Sequence, residues 1–300
     1  MIRAVYSKYC FFLRKYLRQN YHCSWKLNSS LFKSSYAPFI STERKMPDVS
    51  EITYSRDATV EAVRKYFQFL AVMYMDESKI FEPPEGGWNT ISPEGWPNFD
   101  KTEDVVDLLR HLPYLETYTN IAPHCEFMAW QRVPADLDGA DLKEATEPHP
   151  EEAQIPSHIV GLTAPTANGL IFLLDTELGI IYWHECMSEA KVEIPEVHPD
   201  AYGMLDDELI PEDQVEWRAD SGIWEISDFF EMLKANFRTL NFVPFHQNLV
   251  RGAWYFRSDD DQETLEGVQK IYKDHGWSDL TRYRKNDCLA AVEAYLRTRE

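Results

Sequence analysis

Apolar and polar positions are most regularly arranged at residues 169–185, in the sequence GLIFLLDTELGIIYWHE. Two apolar runs flank a short polar turn there, which is typical of a β-hairpin. About forty residues later, the segment 224–233 has apolar residues at helical spacing and predicts an amphipathic helix that packs on the hairpin. This outline indicates a fold class and does not by itself indicate an activity.

Helical periodicity recurs on both sides of the hairpin. It predicts α-helices over 57–75, 102–112, 226–240, 264–275 and 287–297. Extended apolar runs predict strands at 127–133 and 158–163. Helices followed by strands and then by helices indicate an α+β fold with a central, mostly antiparallel sheet flanked by helices, rather than alternating βαβ units.

The composition predicts a buried core and indicates a reducing compartment. Hydrophobic residues make up 44% of the 300 residues and aromatic residues 14%, which excludes wholesale disorder. The five cysteines are odd in number, widely spaced and never arranged as C-x-x-C, a pattern that favours a reducing compartment. No apolar run approaches the roughly 20 residues of a membrane helix, so we expect a cytoplasmic protein without a membrane partner.

The charge divides the chain into two parts. Residues 1–45 carry nine Lys/Arg against the single acid Glu43, a charge of +8, whereas residues 46–300 carry 21 Lys/Arg against 49 Asp/Glu, a charge of −28. We therefore predict a basic extension at 1–45 outside the fold and a single acidic α+β domain at 46–300. A body this acidic repels phosphate backbones, so nucleic acid is not an expected partner.

The basic extension allows two interpretations. Wound as a helix, residues 3–18 place their bases on one face and most of their apolar residues opposite, and a Ser-rich run follows. Such a segment is typical of a mitochondrial transit peptide, in which case the protein is mitochondrial. The alternative is that Met46 is the native start and that residues 1–45 are a non-native addition.

Three loops are the predicted partner-binding regions. Acidic insertions without regular structure are expected at 134–156 and 189–220, and a Pro/Gly-rich loop carries two tryptophans. An acidic, aromatic-rich surface fits a protein partner, with a basic one as the expected kind. The alternative for the tryptophans is that they anchor their loop to the core. The candidate residues are Trp88, Trp96, Asp206, Asp207, Glu208, Glu212 and Asp213.

Catalytic and metal-binding signatures are weak. The sequence contains no G-x-S-x-G, P-loop or G-x-G-x-x-G motif, and no cofactor is predicted. His184 and Cys186 would share a face of an alternating strand and are the best candidate metal ligands. With Asp175 they define the alternative function, a hydrolase or metal-dependent enzyme. For Asp175 itself, an Asx-turn that caps its own backbone is the preferred interpretation.

The hairpin and the following helix resemble the SUKH superfamily, which joins fungal cell-wall-synthesis regulators of the SMI/KNR type with bacterial toxin-immunity proteins. The residues that carry the resemblance are 169–175, 179–182 and the helix start Ser227-Asp-Phe-Phe-Glu-Met-Leu233, with echoes at Leu112-Pro113-Tyr114 and Asn168-Gly169. The whole chain is also similar to a kind of filamentous-fungal protein with the phrases Glu-Gly-Gly-Trp88, Leu-Leu-Arg-His-Leu-Pro113 and His275-Gly-Trp277. The superfamily resemblance implies an α+β core and a non-enzymatic module that holds other proteins through an acidic surface.

Overall fold

The protein is an assembly of helices and small antiparallel sheets. The structure is a computed structural model that describes residues 52–92, 95–149, 154–165, 170–186, 188–191 and 211–299. Within these residues, seven α-helices and eleven strands occur, and the predicted α+β class is confirmed. The predicted extension at 1–45 lies outside the described residues.

Helices occur near both ends of the described chain and also between the strands. Their bounds are α1 Arg56–Met73, α2 Glu103–His111, α3 Gly139–Thr146, α4 Val215–Ala219, α5 Ile226–Arg238, α6 Asp259–Asp274 and α7 Lys285–Arg297. None of the helices in the described part of the chain is both long and apolar enough to cross a membrane.

The strands form four separate sheets rather than one central sheet. Their bounds are β1 Ile80–Phe81, β2 Tyr114–Leu115, β3 Asn120–Ala122, β4 Cys125–Phe127, β5 Ile159–Gly161, β6 Thr163–Pro165, β7 Ile171–Asp175, β8 Ile180–His184, β9 Ser221–Glu225, β10 Phe242–His246 and β11 Leu249–Gly252. The sheets have the orders β1-β2, β3-β4-β6, β5-β7-β8-β9 and β10-β11. All pairings among them are antiparallel.

The first predicted helix is confirmed with a different cap. Its predicted apolar stripe is buried, and Val63, Phe67 and Leu70 within it are fully buried. Ser55 is the N-cap, and its hydroxyl accepts a hydrogen bond from the amide of Ala58 at 3.4 Å. Asp57 lies in the first turn instead, where its negative charge complements the positive end of the helix dipole.

The predicted hairpin is formed by β7 and β8, and its turn is closed by Asp175. Oδ1 of this residue accepts hydrogen bonds from the amides of Glu177 and Leu178, both at 2.9 Å. The predicted Asx-turn is therefore confirmed. Gly179 continues the turn at a φ of +70°, a conformation that glycine adopts without a steric penalty. Strand β9, which was not predicted, leads directly into α5, so the predicted helix over 224–233 begins at Ile226 and its first two residues belong to the strand.

The two faces of the β5-β7-β8-β9 sheet pack into two different apolar clusters. Phe172, Trp183 and Trp224 belong to the main core, where the first and last of them pack around Phe229 of α5. The opposite face forms a smaller apolar cluster with a residue of α4. We call this set the second cluster; its buried members are Ile159, Leu173, Ile180, Tyr182, Trp217 and Ile223.

Two predicted elements are wrong in type. The segment 127–133 is not a strand, because β4 ends at Phe127 and a 3₁₀ turn follows at Trp130–Arg132. The last third is not entirely helical, because β10 and β11 form a hairpin between α5 and α6. Pro244 lies within β10, and a proline is tolerated there because each strand of a two-stranded sheet has an unpaired edge.

The acidic segment 134–156 is not an insertion without regular structure, because it contains α3. Asp138 caps this helix, accepting a hydrogen bond from the amide of Ala140 at 2.9 Å. A Cβ at Gly139 would lie 2.3 Å from the Cα of Phe99, so only glycine permits this close packing. The helix has a single large apolar anchor, Leu142, and therefore shows no apolar periodicity in the sequence.

The end of this segment is held by a buried ion pair. Glu147 Oε1 lies 2.7 Å from Lys101 Nζ, and the two side chains are 5% and 1% exposed. Burial raises the pKa of the Glu147 carboxyl and lowers the pKa of the Lys101 amine, while the attraction between the two charges opposes both changes. A structural acid therefore occupies the place where the sequence suggested a solvated loop.

Candidate protein-binding surface

The described part of the second acidic segment forms a short, folded surface at residues 211–220. A 3₁₀ turn at Glu212–Gln214 continues into α4. We call this segment the acidic platform. Its exposed acids are Glu212, Asp213, Glu216 and Asp220.

Exposed residues of the platform are almost all acidic or small. Val215 lies among the four carboxylates and is 46% exposed. None of these carboxylates forms an ion pair with another residue in the described part of the chain. Positive charges on a bound partner would therefore approach carboxylates that no base in the described part of the chain already neutralises.

The platform is fixed to the sheet by Trp217. This side chain is 2% exposed, and its ring lies edge-on to Tyr182 of β8 with the centroids 5.1 Å apart. The hydroxyl of Ser221 donates a hydrogen bond to the Trp217 carbonyl at 2.7 Å, which joins the end of α4 to β9. A buried aromatic ring and this hydrogen bond give the short helix a defined position that its five residues could not maintain alone.

Arg218 is the only base of the platform, and its side chain is buried. Its guanidinium carbon lies 4.7 Å from the ring centroid of Trp217 and 4.9 Å from that of Tyr182, and the side chain donates to the Tyr182 hydroxyl. The side-chain amide oxygen of Gln214 accepts two further hydrogen bonds from the guanidinium, at 3.1 and 2.8 Å. Burial lowers the pKa of Arg218, and the negative charge of Asp175 opposes this effect. Because the arginine is buried, carboxylates are the only charged groups that the platform exposes.

Asp175 contributes a buried carboxyl beneath the platform. It is fully buried, and its Oδ2 has no hydrogen-bond partner. His158 Nε2 lies 3.8 Å from this oxygen, and His158 Nδ1 lies 3.3 Å from a carboxyl oxygen of Glu177. Burial raises the pKa of the Asp175 carboxyl, against the lowering effects of the Leu178 amide and then of His158. The hairpin turn and the platform are thus electrostatically linked through Asp175 and Arg218.

The predicted acids of this region fall into two groups. Glu212 and Asp213 are exposed at the start of the platform, in agreement with a surface role. The other three predicted residues, Asp206, Asp207 and Glu208, lie outside the described residues.

The tryptophan pair is held by the body of the protein. Trp96 is 2% exposed, and its indole N–H donates to the Pro134 carbonyl at 3.2 Å. Trp88 is partly buried, and its indole N–H donates to the Leu112 carbonyl at 2.9 Å. For Trp96 the prediction of a partner contact is wrong, because its ring is buried and its indole N–H has an internal acceptor. The alternative interpretation, in which they anchor the loop, is the one that the structure shows.

The residues of the alternative enzyme site are not brought together. In the β7–β8 pairing, Asp175 lies opposite Ile180 and His184 lies opposite Ile171. Asp175 and His184 therefore occupy opposite ends of the hairpin, about 13 Å apart for four steps along a strand. Side chains at that separation cannot act on one bond.

His184 and Cys186 also do not share a face. Strand β8 ends at His184, and Glu185 has a φ of +53°, which breaks the alternation on which the prediction relied. Cys186 packs against the main core, on the side of Trp183, whereas His184 follows Trp183 and points to the other face. No group of three or more His, Cys, Asp or Glu side chains that could hold a metal ion occurs in the described ranges.

The residues that anchor the platform are not among those predicted from the sequence. Trp217 and Arg218 are an aromatic and a base within a run of acids, at 212–220. That interruption was the available signal, because a tryptophan in an otherwise solvated segment is more often buried than exposed. Its contact with Tyr182 joins distant parts of the chain and has no local sequence signature.

Comparison of the chain with protein-family models, with curated proteins and with solved structures gives no match.

Proposed function

We propose that this protein is a non-enzymatic interaction module of the SUKH kind, which binds a basic segment of a protein partner through the acidic platform. The observation that carries the proposal is the arrangement at 211–220, in which four carboxylates face outward and the only base is buried. A surface of one sign favours encounter with a partner of the opposite sign.

The anchoring of the platform supports a binding role in a second way. A surface that is ordered before binding loses less conformational entropy when a partner associates. Trp217 and Arg218 provide that order by packing on Tyr182. The exposed Val215, which lies between Asp213 and Glu216 in the sequence, gives the partner an apolar contact.

Charge reversal on the platform tests the proposal. We expect Glu212→Lys/Asp213→Lys to lose proteins that the wild type captures from lysate of its source cells, as measured by quantitative mass spectrometry. Each surface charge contributes up to about 1 kcal/mol, and reversal changes attraction into repulsion, so affinity should fall by about tenfold or more.

Glu85→Lys/Glu266→Lys is the matched control. Both of these acids are exposed and lie outside the platform, and the pair changes the net charge by the same amount. The control should retain the captured proteins. Equal capture by the wild type and both variants, or equal loss from both variants, would contradict the proposal.

A further inference from the structure

Arg218 is a buried base whose hydrogen-bond acceptors are all neutral. Its guanidinium donates to the side-chain oxygen of Gln214 and to the Tyr182 hydroxyl, and in the part of the chain that the structure describes no carboxylate pairs with it at ion-pair distance. A buried charge costs free energy unless an opposite charge compensates it. Stacking on the Trp217 and Tyr182 rings offsets part of this cost. The rest depends on charges that act from a greater distance.

Asp175 supplies an opposite charge on the same face of the sheet. In β7, Leu173 faces the second cluster, so Asp175, two residues later, is on that face as well. Tyr182 belongs to the second cluster too, and Ile180, two residues before it on β8, is the residue opposite Asp175. Residues placed diagonally in this way are about 7–8 Å apart. The guanidinium stacked on Tyr182 therefore lies within reach of the Asp175 charge.

The two buried charges stabilise each other across this face. Burial lowers the pKa of Arg218, and the negative charge of Asp175 opposes this change. Burial raises the pKa of Asp175, and the effects that lower this pKa are led by the Leu178 amide. The charges of His158 and Arg218 are among those effects. Oδ2 of Asp175 is buried without a hydrogen-bond partner, so nearby positive charges rather than hydrogen bonds compensate it there.

We propose that Asp175 is a positioning residue of the acidic platform: its negative charge keeps Arg218 inside, and without that charge Arg218 turns outward among the carboxylates. This inference rests on the proposed function and adds a regulation of the same site. Arg218 stands between Glu216 and Asp220 in the sequence, so an outward guanidinium would neutralise part of the charge that attracts a basic segment. Protonation of Asp175 and its replacement by asparagine have the same consequence.

Acid acts on this arrangement through the groups around Asp175, which are His158, Glu177, the Tyr182 hydroxyl and Arg218. His158 Nε2 lies 3.8 Å from Asp175 Oδ2, and His158 Nδ1 lies 3.3 Å from Glu177 Oε1. A charged imidazole at this place competes with Arg218 for the Asp175 carboxylate. Because burial raises the pKa of Asp175, its carboxyl takes up a proton at a higher pH than an ordinary exposed aspartate does. Both events release Arg218 as the pH falls.

Chemical modification of arginine reports where Arg218 points. Phenylglyoxal modifies accessible guanidinium groups at pH 8, and mass spectrometry locates the products. In the wild type, Arg218 should be protected and the exposed Arg282 should react. In Asp175→Asn, whose side-chain oxygen can still cap the turn, Arg218 should react at a rate approaching that of Arg282. Continued protection of Arg218 would overturn the inference, and so would faster amide hydrogen exchange across 211–220, since the whole platform would then have detached.

Peptide binding tests the consequence for the platform. By fluorescence anisotropy with the labelled peptide Lys-Lys-Leu-Lys-Lys at pH 8, Asp175→Asn should weaken binding by about threefold or more. Glu85→Gln is the matched control, since it makes the same charge change at an exposed acid outside the platform. The double variant Asp175→Asn/Arg218→Met has the wild-type net charge and no base to turn outward, so it should recover the lost affinity. Equal weakening by Asp175→Asn and Glu85→Gln, or no recovery in the double variant, would refute the inference.

The pH profile separates this inference from the proposed function. From pH 8 to 5.5, the affinity of the wild type for the peptide should fall more than that of the double variant, because only the wild type has an Arg218 to release. Weak binding by Glu212→Lys/Asp213→Lys together with equal pH profiles of the wild type and the double variant would keep the platform as the binding site and refute the role of Asp175. Absence of peptide binding by the wild type would contradict the proposed function instead, and the modification of Arg218 would still decide whether Asp175 holds it inside.

Discussion

The segment 134–156 and the acidic platform are both rich in acids, but they bury side chains of opposite charge. In the segment 134–156, an acid is buried: Glu147 pairs with Lys101, and both side chains are at most 5% exposed. In the acidic platform, the base is buried: Arg218 is 6% exposed, and the acids face outward. An acidic composition therefore does not by itself determine whether the acids or the bases of a segment are exposed to solvent.

The difference arises from what each segment packs against. Lys101 precedes α2 and supplies a counterion at the end of α3, so an acid can be buried there. Tyr182 supplies an aromatic ring beneath α4, and a guanidinium can stack on it. The first segment therefore stabilises the fold, and the second one leaves its acids available for binding.

Removal of the buried charge on Glu147 should give the largest effect. Glu147→Gln keeps the shape of the side chain but leaves the Lys101 ammonium buried without its counterion. We expect the free energy of unfolding in urea at pH 7 to fall by about 3–5 kcal/mol. The double variant Lys101→Met/Glu147→Leu should recover most of this loss, because it removes both buried charges. A loss below about 1 kcal/mol for Glu147→Gln would show that the pair is hydrated.

Truncation of the platform anchor should have a smaller and more local effect. Trp217→Ala removes the ring that packs on Tyr182. Trp-to-Ala changes in a core cost about 3–5 kcal/mol, but we expect less here, because the platform can detach while the main core stays folded. Amide hydrogen exchange at 211–220 should accelerate while exchange in α5 stays slow. The exposed Val215→Ala variant is the control, and uniform acceleration across the chain would contradict a locally anchored platform.

The buried carboxyl of Asp175 should make the free energy of unfolding depend on pH. Because burial raises the pKa of Asp175 in the folded state, its protonated form is favoured there. This contribution to stability is complete below the unfolded pKa of about 3.9 and is lost as the pH rises through the raised folded value. The free energy of unfolding of the wild type should therefore fall, relative to that of Asp175→Asn, as the pH rises from 4 to 7. A flat difference for Asp175→Asn would exclude the raised pKa.

Elements with strong local periodicity were predictable from the sequence. Helix α1 has its apolar stripe at i, i+3 and i+4 spacing, and the β7–β8 hairpin has two apolar runs around an Asp/Gly turn. Both signals are local, and both predictions are confirmed. The β10–β11 hairpin was missed because its strands follow α5 closely and contain Pro244, which weakens a strand signal.

The candidate site was only partly predictable. Exposure of Glu212 and Asp213 follows from their composition, since isolated acids in a polar run remain solvated. Burial of Trp96, Arg218 and Glu147 depends on partners that are distant in the sequence. Such pairings are set by the tertiary fold, so a single sequence holds no local record of them.

Charge reversal on the platform should give the smallest change in stability. Glu212 and Asp213 are exposed, so Glu212→Lys/Asp213→Lys should alter the free energy of unfolding by no more than about 0.5 kcal/mol per site. Urea denaturation checks this expectation. A much larger loss would mean that these acids stabilise the fold, and their effect on capture could then not be assigned to binding.

Carboxyl footprinting of the purified protein and of the same protein in lysate tests the central claim most directly. A carbodiimide with glycine ethyl ester modifies accessible carboxylates, and mass spectrometry locates them. In the purified protein, Glu212, Asp213, Glu216 and Asp220 should be modified rapidly, whereas the buried Glu147 should not react. In lysate, protection should appear at these four acids and not at Glu85 or Glu266. Unchanged modification of the four acids in lysate would contradict a partner-binding platform.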